Sequence, residues 1–319
     1  MEKQIMFVVH ATNDKIWNIY DLLDYLSAHQ SQDISLVLNP EAIDCENLGL
    51  YKILDAFNFR SVKIYTLNLL EIHPRYQIVK SWKNQWLSQI VNIEPELHNW
   101  NFEKIFLAMY HRPTANRLGL ASYLHVNYPE QSIVHFSHSA ALDDLKLFEF
   151  DKLVQYDVES LINTSQLLPN LPMRAYPGHM DDVKKYRIFY SENDGISIYS
   201  KIFVDIVSES HITGRTFYPT EKIARPMWLK KPFVVFASAN YLEYMRQLGF
   251  RTFGDCWDEN YDGYEGRDRY LRILKLVDNL STKSQSELEE MYLSMQYTLD
   301  HNYNLLKTQR YNKNIKLVE

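Results

Sequence analysis

Residues 207–236 read "VSESHITGRTFYPTEKIARPMWLKKPFVVF" and gather the side chains best placed to do chemistry. An apolar run stops just before Glu209. A polar loop carries Arg215, Thr220-Glu221-Lys222 follows Pro219, and a second apolar run covers residues 233–236. A helix starting at Thr220 would present backbone N–H groups and a partial positive charge, which suits a phosphate. Lys222 and Arg215 would add cations. A carboxylate beside them suits the paired hydroxyls of a ribose, through charge-assisted hydrogen bonds of roughly 1.5–3 kcal/mol each. Phosphate donors beside an acid read as a nucleotide site. A plainer reading also fits, in which Glu221 steadies the helix start and Arg215 pairs on the surface.

The elements that must position these residues follow from the hydrophobic pattern. Short apolar runs at residues 5–9, 34–38, 62–65, 105–109 and 132–136 predict strands. Helical periodicity falls between them at 14–29, 48–57, 76–91 and 116–126. This alternation predicts parallel sheets with helices on both faces, and strands buried on both sides. Residues 138–185 break the rhythm and carry Pro169, Pro172 and Pro177. They predict an irregular connection holding a domain boundary. Strands at 202–207 and 233–236 then alternate with helices at 220–229, 241–248 and 268–280. A long amphipathic helix at 284–306 closes the pattern. The expected fold is α/β, with two Rossmann-like domains facing a cleft. The boundaries are 1–145 for an acceptor-side domain, 146–185 for the connection, 186–283 for a ligand-binding domain, and 284–319 for a helix packing back on the body. Ligands of open α/β sheets lie beyond the carboxyl ends of the strands. The loop after residue 207 and the helix start at Thr220 belong there, as do Arg112 and Arg117 beyond the strand at 105–109. Ordinary surface charge is the plainer reading of those two arginines.

Composition narrows the classes. The chain has 319 residues and 2 cysteines, Cys45 and Cys256, which make no disulfide framework and suit a reducing cytoplasm. No apolar stretch approaches the roughly 18 residues of a membrane span, and the N-terminus lacks a signal-peptide core. The formal net charge of −6 means that a nucleic-acid partner would need a local basic patch, such as the lysine pairs at 184–185 and 230–231. No GxGxxG or Walker loop occurs. The segment "DENYDG" at 258–263 starts like a calcium loop, but Arg269 stands where the bidentate glutamate belongs. No HExxH occurs, and His135 and His138 read as core or rim histidines. The acid pairs Asp143-Asp144 and Asp181-Asp182 fall in the irregular connection. No metal site is expected.

The segment "ESHITGRTFYPTEKIARPMWLKKPFVVF" resembles the donor-binding segment of nucleotide-sugar glycosyltransferases with the GT-B architecture. In those families an acid ends one strand, matched here by Glu209. A "TEK"-type sequence opens the next helix, as in the α1,3-fucosyltransferases, and is matched by Thr220-Glu221-Lys222. A Pro-hydrophobic strand follows, matched by Lys231-Pro232-Phe233-Val234-Val235. The stretches "YHRPTANRLGLASYL" and "YMRQLGFRTFGDCWDENYD" are similar to glycosyltransferase-like proteins of tailed bacteriophages and marine bacteria. The chain departs from the pattern at Lys231, where a glycine usually stands. The eleven residues between Glu209 and Glu221 also exceed the usual separation of the acidic pair. The resemblance implies a metal-independent transferase with a UDP-sugar as co-substrate and no resident cofactor. Its donor contacts would be Glu209, Arg215, Thr220, Glu221 and Lys222, with Arg112 and Arg117 as cleft contacts. It also implies a base for the acceptor hydroxyl in the loop after the first strand, "HATND", which gives His10 and Asp14. Asp14 fits equally well as a helix cap. The implied acceptor is hydroxymethylcytosine in duplex phage DNA, receiving glucose or arabinose in the host cytoplasm. The alternatives are a glycan or lipid-linked saccharide acceptor, or a non-catalytic α/β protein that binds a nucleotide or nucleic acid.

Overall fold

The computed structural model describes residues 5–12, 15–39, 42–80, 103–110, 114–136, 158–170, 173 and 198–309. It is an α/β structure with one mixed sheet, one parallel sheet and a long C-terminal helix. The described residues within 1–83 and 211–218 form one unit, and those within 84–210 and 219–314 form the other.

The first unit is built on strands β1 (Ile5–Thr12), β2 (Lys15–Ile16), β3 (Asp33–Asn39), β4 (Ser61–Thr66) and β5 (Gln77–Lys80), in the order β2-β1-β3-β4-β5. β1, β3, β4 and β5 run parallel, and β2 turns back antiparallel on β1. Helices α1 (Ile19–Ala28) and α2 (Leu50–Asp55) bury Leu22, Leu26, Leu50 and Leu54 in a core shared with Leu36, Leu38 and Ile64. Two elements differ from the sequence expectation. Within the helix expected at 14–29, residues 15–16 pair with β1 and helical structure starts only at Ile19. The cause is Asn18. Its amide donates to the Val8 carbonyl (2.9 Å) and accepts from the His10 N–H (2.9 Å), standing in for a neighbouring strand. Within the helix expected at 76–91, residues 77–80 form β5, an Ile-Val centre extending the sheet beside β4. Residues 81–91 lie outside the described part. β1 is also covered on one side only: Met6 and Val8 are exposed while Val9 and Ala11 are buried.

The second unit holds a four-stranded parallel sheet of β6 (Lys104–Tyr110), β7 (Ser132–Phe136), β8 (Ile202–Ser208) and β9 (Phe233–Phe236), in the order β7-β6-β8-β9. This corrects the boundary expected at residue 145. β6 pairs with β8 through Lys104↔Ile202, Phe106↔Val204 and Leu107↔Asp205, so residues 104–136 share a sheet with 202–236. β8 and β9 are buried along their whole length, as strands covered on both faces should be. Around them lie α3 (Ala115–Asn127), α4 (Val158–Leu167), α5 (Glu221–Trp228), α6 (Tyr241–Gln247), α7 (Gly266–Ser281) and α8 (Gln285–Gln309). α4 lies inside the connection expected to be irregular, where its weak apolar pattern hid it.

α8 buries Leu288, Met295, Leu299 and Leu306, spaced seven, four and seven residues apart on one helical face. It packs on α5 through Trp228 and Tyr303, whose ring centroids are 5.1 Å apart, and through a Lys230–Asp300 ion pair of 2.7 Å. Asn302 brackets the backbone of Arg251, accepting from its N–H and donating to its carbonyl. Among the described residues, no helix is long and apolar enough to cross a membrane.

Candidate active site at the switch point of the second sheet

From β6 the chain passes to β7 on one side of the sheet, and β8 later returns on the other. Such a reversal opens a crevice at the carboxyl ends of the two central strands, the usual ligand position in open α/β sheets. β6 ends at Tyr110, whose hydroxyl donates to the Ile206 carbonyl (2.7 Å) and so ties it to β8. Beyond that end, the first turn of α3 supplies Asn116 and Arg117. Asn116 donates to the Ser208 hydroxyl (2.5 Å), and Arg117 reaches the Ser208 carbonyl (3.5 Å). Arg117 therefore stands where the sequence placed it, at the carboxyl end of the central strands, but it is buried.

The chain leaves β8 at Glu209, whose N–H donates to the Phe236 carbonyl (3.0 Å). The Glu209 carboxylate is buried and accepts from the Thr220 N–H (3.1 Å), the Thr220 hydroxyl (2.5 Å) and the Tyr241 hydroxyl (3.0 Å). Burial pushes its pKa up, opposed by the charge of Lys222 and the bonds from Thr220. With its acceptors engaged, Glu209 is a positioning residue that fixes the start of α5. Thr220 is the N-cap expected from the sequence, its hydroxyl accepting from the Lys222 N–H (3.2 Å).

Lys222 curls back over the cap. Its ammonium donates to the Thr220 hydroxyl (3.2 Å) and pairs with Glu221 (2.7 Å), and both charged side chains keep part of their surface open to solvent. Burial alone would raise the Glu221 pKa, but the charge and hydrogen bond of Lys222 outweigh it and hold the carboxyl below its ordinary range. Glu209, Thr220, Glu221 and Lys222 are thus one cluster at the start of α5. Such a cluster can offer an oxyanion a cation and helical N–H groups, and offer a diol a partly open carboxylate.

Other expected site residues lie elsewhere. Arg215 belongs to the first unit. Its N–H donates to Asp44 (2.8 Å), and its carbonyl accepts from Asn68 (2.9 Å). Asn68 also accepts from the Phe217 N–H (3.1 Å), so it clamps the 211–218 loop onto that unit. His10 is exposed on β1, where its backbone, not its ring, makes the bonds to Asn18 and Trp17. Asp14, Arg112, His138, Asp143-Asp144, Asp181-Asp182 and the lysines at 184–185 lie outside the described residues.

Three buried charged residues, Asp205, Arg225 and Arg269, hold the sheet and its loops together through contacts that no local pattern encodes. Asp205, in the middle of β8, accepts from Tyr199 and from Arg225 (3.3 Å), with Tyr199 also bonded to Arg225. Burial raises the Asp205 pKa against the opposing charge of Arg225. Arg269 is fully buried and donates to Asp262 (3.0 Å) and to the carbonyls of Val235 and Ser238. Asp262 in turn caps α6 at the Leu242 and Glu243 N–H groups, and Glu259 holds the Phe253 N–H (2.7 Å). The acids of "DENYDG" are therefore committed to backbone and arginine, which is why that segment reads as a structural loop. Among the described residues, no group of three or more His, Cys, Asp or Glu side chains is placed to hold a metal. Comparison of the chain with protein-family models, curated proteins and solved structures finds no match.

Proposed function

We propose that the chain is a nucleotide-sugar-dependent glycosyltransferase whose donor diphosphate lies against the start of α5. The observation that carries this reading is the partly open Lys222–Glu221 pair on a capped helix start, just past the carboxyl end of β8 at the switch point of the sheet. In the reaction an acceptor oxygen bonds to the anomeric carbon as the bond from that carbon to the diphosphate breaks. The electron pair leaves on the diphosphate, and the acceptor proton passes to a base. The Lys222 ammonium and the N–H groups of α5 would stabilise the charge gathering on the leaving group, the part a divalent cation plays in other transferases. Glu221, released from Lys222 as the phosphate takes its place, would receive the ribose hydroxyls. Glu209 and Tyr241 hold the helix start in position, and Arg117 backs the crevice from α3. The GT-B arrangement, His10 or Asp14 as acceptor base, and hydroxymethylcytosine in DNA as acceptor belong to the same proposal.

The test is mass spectrometry of UDP-glucose, UDP-arabinose and GDP-sugars after incubation with the protein, with and without hydroxymethylcytosine DNA. Release of nucleoside diphosphate with sugar added to the base supports the full reading. Release without DNA modification keeps the transferase and moves the acceptor to a glycan or lipid-linked saccharide. Nucleotide binding without turnover would make the chain a non-catalytic binder.

A further inference from the structure

A cavity of about 240 Å³ opens between α7 and the loop that precedes it. Its floor is apolar: Trp257, Leu276 and Leu280 are all at least nine-tenths buried. Its walls carry Arg272, Lys275 and Lys283 against a single carboxylate, Asp258. On α7 the lining residues recur at 272, 275–276 and 279–280, with Lys283 just past the helix end, so they share one side of the helix at intervals of a turn.

The cations of this cavity are poorly neutralised. Lys275 is exposed and makes no hydrogen bond or ion pair with any described residue. Arg272 spends one nitrogen on the Asn260 amide (3.2 Å) and lies 3.8 Å over the Tyr264 ring, so its partners carry no formal charge. Lys283 meets Glu287 only at 4.0 Å. A second observation concerns the floor. The Nε1–H of Trp257 is buried and has no acceptor among the described residues. A buried donor left in that state costs about 1–3 kcal/mol. In a chain of net charge −6, three cations gathered around a concave apolar floor are not explained by packing.

We infer that this cavity binds a small oligo-anion, a molecule bearing two or more linked phosphates, with the cations on the phosphate oxygens. The site stands independently of the one at α5, because neither Lys222 nor Glu221 lines it. Its cations are spaced along the helix, which favours several linked anionic groups over a single one. The bounded volume favours a small molecule over a nucleic-acid strand.

The experiment is titration calorimetry of the full chain with tripolyphosphate at low ionic strength. The wild type is compared with Lys222→Ala and with the double variant Lys275→Ala/Lys283→Ala, whose exposed or half-buried side chains can be removed without opening the core. The double variant should lose one binding event, or see its affinity fall about ten-fold per lysine. Its melting temperature should not change, and Lys222→Ala should retain that event. Absence of any tripolyphosphate binding, an undiminished set of events in the double variant, or binding of single-stranded oligonucleotide alone would each overturn the inference. Loss of UDP binding in Lys222→Ala bears only on the α5 site.

Discussion

Lys231 lies just before β9, and its burial has a measurable cost. The side chain is only 6% exposed. Its ammonium donates to the Ile202 carbonyl (3.1 Å) and lies 5.3 Å over the Tyr292 ring. Burial lowers its pKa from the usual 10.5 to about 8. At about 1.4 kcal/mol per pH unit, that displacement penalises the folded state by roughly 3 kcal/mol wherever the lysine is charged in both states, which is below pH 8. Between pH 8 and 10.5 the unfolded chain binds the proton more tightly than the folded one, so stability from this group rises with pH across that window. Lys231→Met removes the charge and keeps most of the volume. The lost carbonyl bond and ring contact take back about 1–2 kcal/mol. The variant should therefore be more stable than wild type by about 1–2 kcal/mol at pH 7 in urea unfolding. That advantage should shrink by about 2 kcal/mol by pH 9.5. Tyrosines that do not touch Lys231, such as Tyr76 held near 12, titrate alike in both proteins and cancel in the difference. A difference that stays constant from pH 7 to 9.5, or a variant destabilised by more than about 2 kcal/mol at pH 7, would mean that Lys231 is not held charged at a cost in the folded state.

Arg225→Met leaves Asp205 buried and without its cation, so urea unfolding should show a loss of about 3–5 kcal/mol; a loss under 1 kcal/mol would mean that Asp205 is protonated and needs no partner. Thr220→Ala removes the cap of α5 and a donor to Glu209, and should lower stability by about 1–3 kcal/mol, with nucleotide affinity falling alongside. Ending the chain before Ser284 exposes the surfaces covered by Leu288, Met295, Leu299 and Leu306. At roughly 1.5–3 kcal/mol each, that sums to about 6–12 kcal/mol, comparable with the whole stability of a typical domain, and the product should melt much lower or become insoluble; an unaltered melting temperature would remove α8 from the core account. Transfer should persist in excess EDTA and collapse in Lys222→Ala; complete loss in EDTA with full recovery on adding Mg²⁺ would assign the leaving-group role to a metal.

The strands of the second sheet were legible because their apolar runs are continuous, and α8 because its buried face repeats over many turns. Which strands pair was not legible. The register that joins Lys104 to Ile202 spans nearly a hundred residues, and no local pattern encodes it. The expected domain boundary at 145 therefore failed although the strands on either side of it were found. β5 was hidden because Gln77 to Lys80 is too short to separate a strand from a helical turn, and β2 because it is only two residues long. At the site, Thr220 as cap could be read from residue type and neighbours. The capture of Glu209 by Tyr241 could not, since those residues are 32 positions apart and only the fold joins them. Nor could the assignment of Arg215 to the first unit, which rests on Asn68 and Asp44.

The proposed site predicts that a nucleoside diphosphate binds at the start of α5. Titration calorimetry with UDP and GDP, run in EDTA on the wild type, Lys222→Ala and Glu221→Ala, tests it most directly. The wild type should bind saturably and each variant about ten-fold or more weakly, with at most a small fall in melting temperature. No saturable heat with either nucleotide, or affinities in both variants equal to that of the wild type, would contradict it.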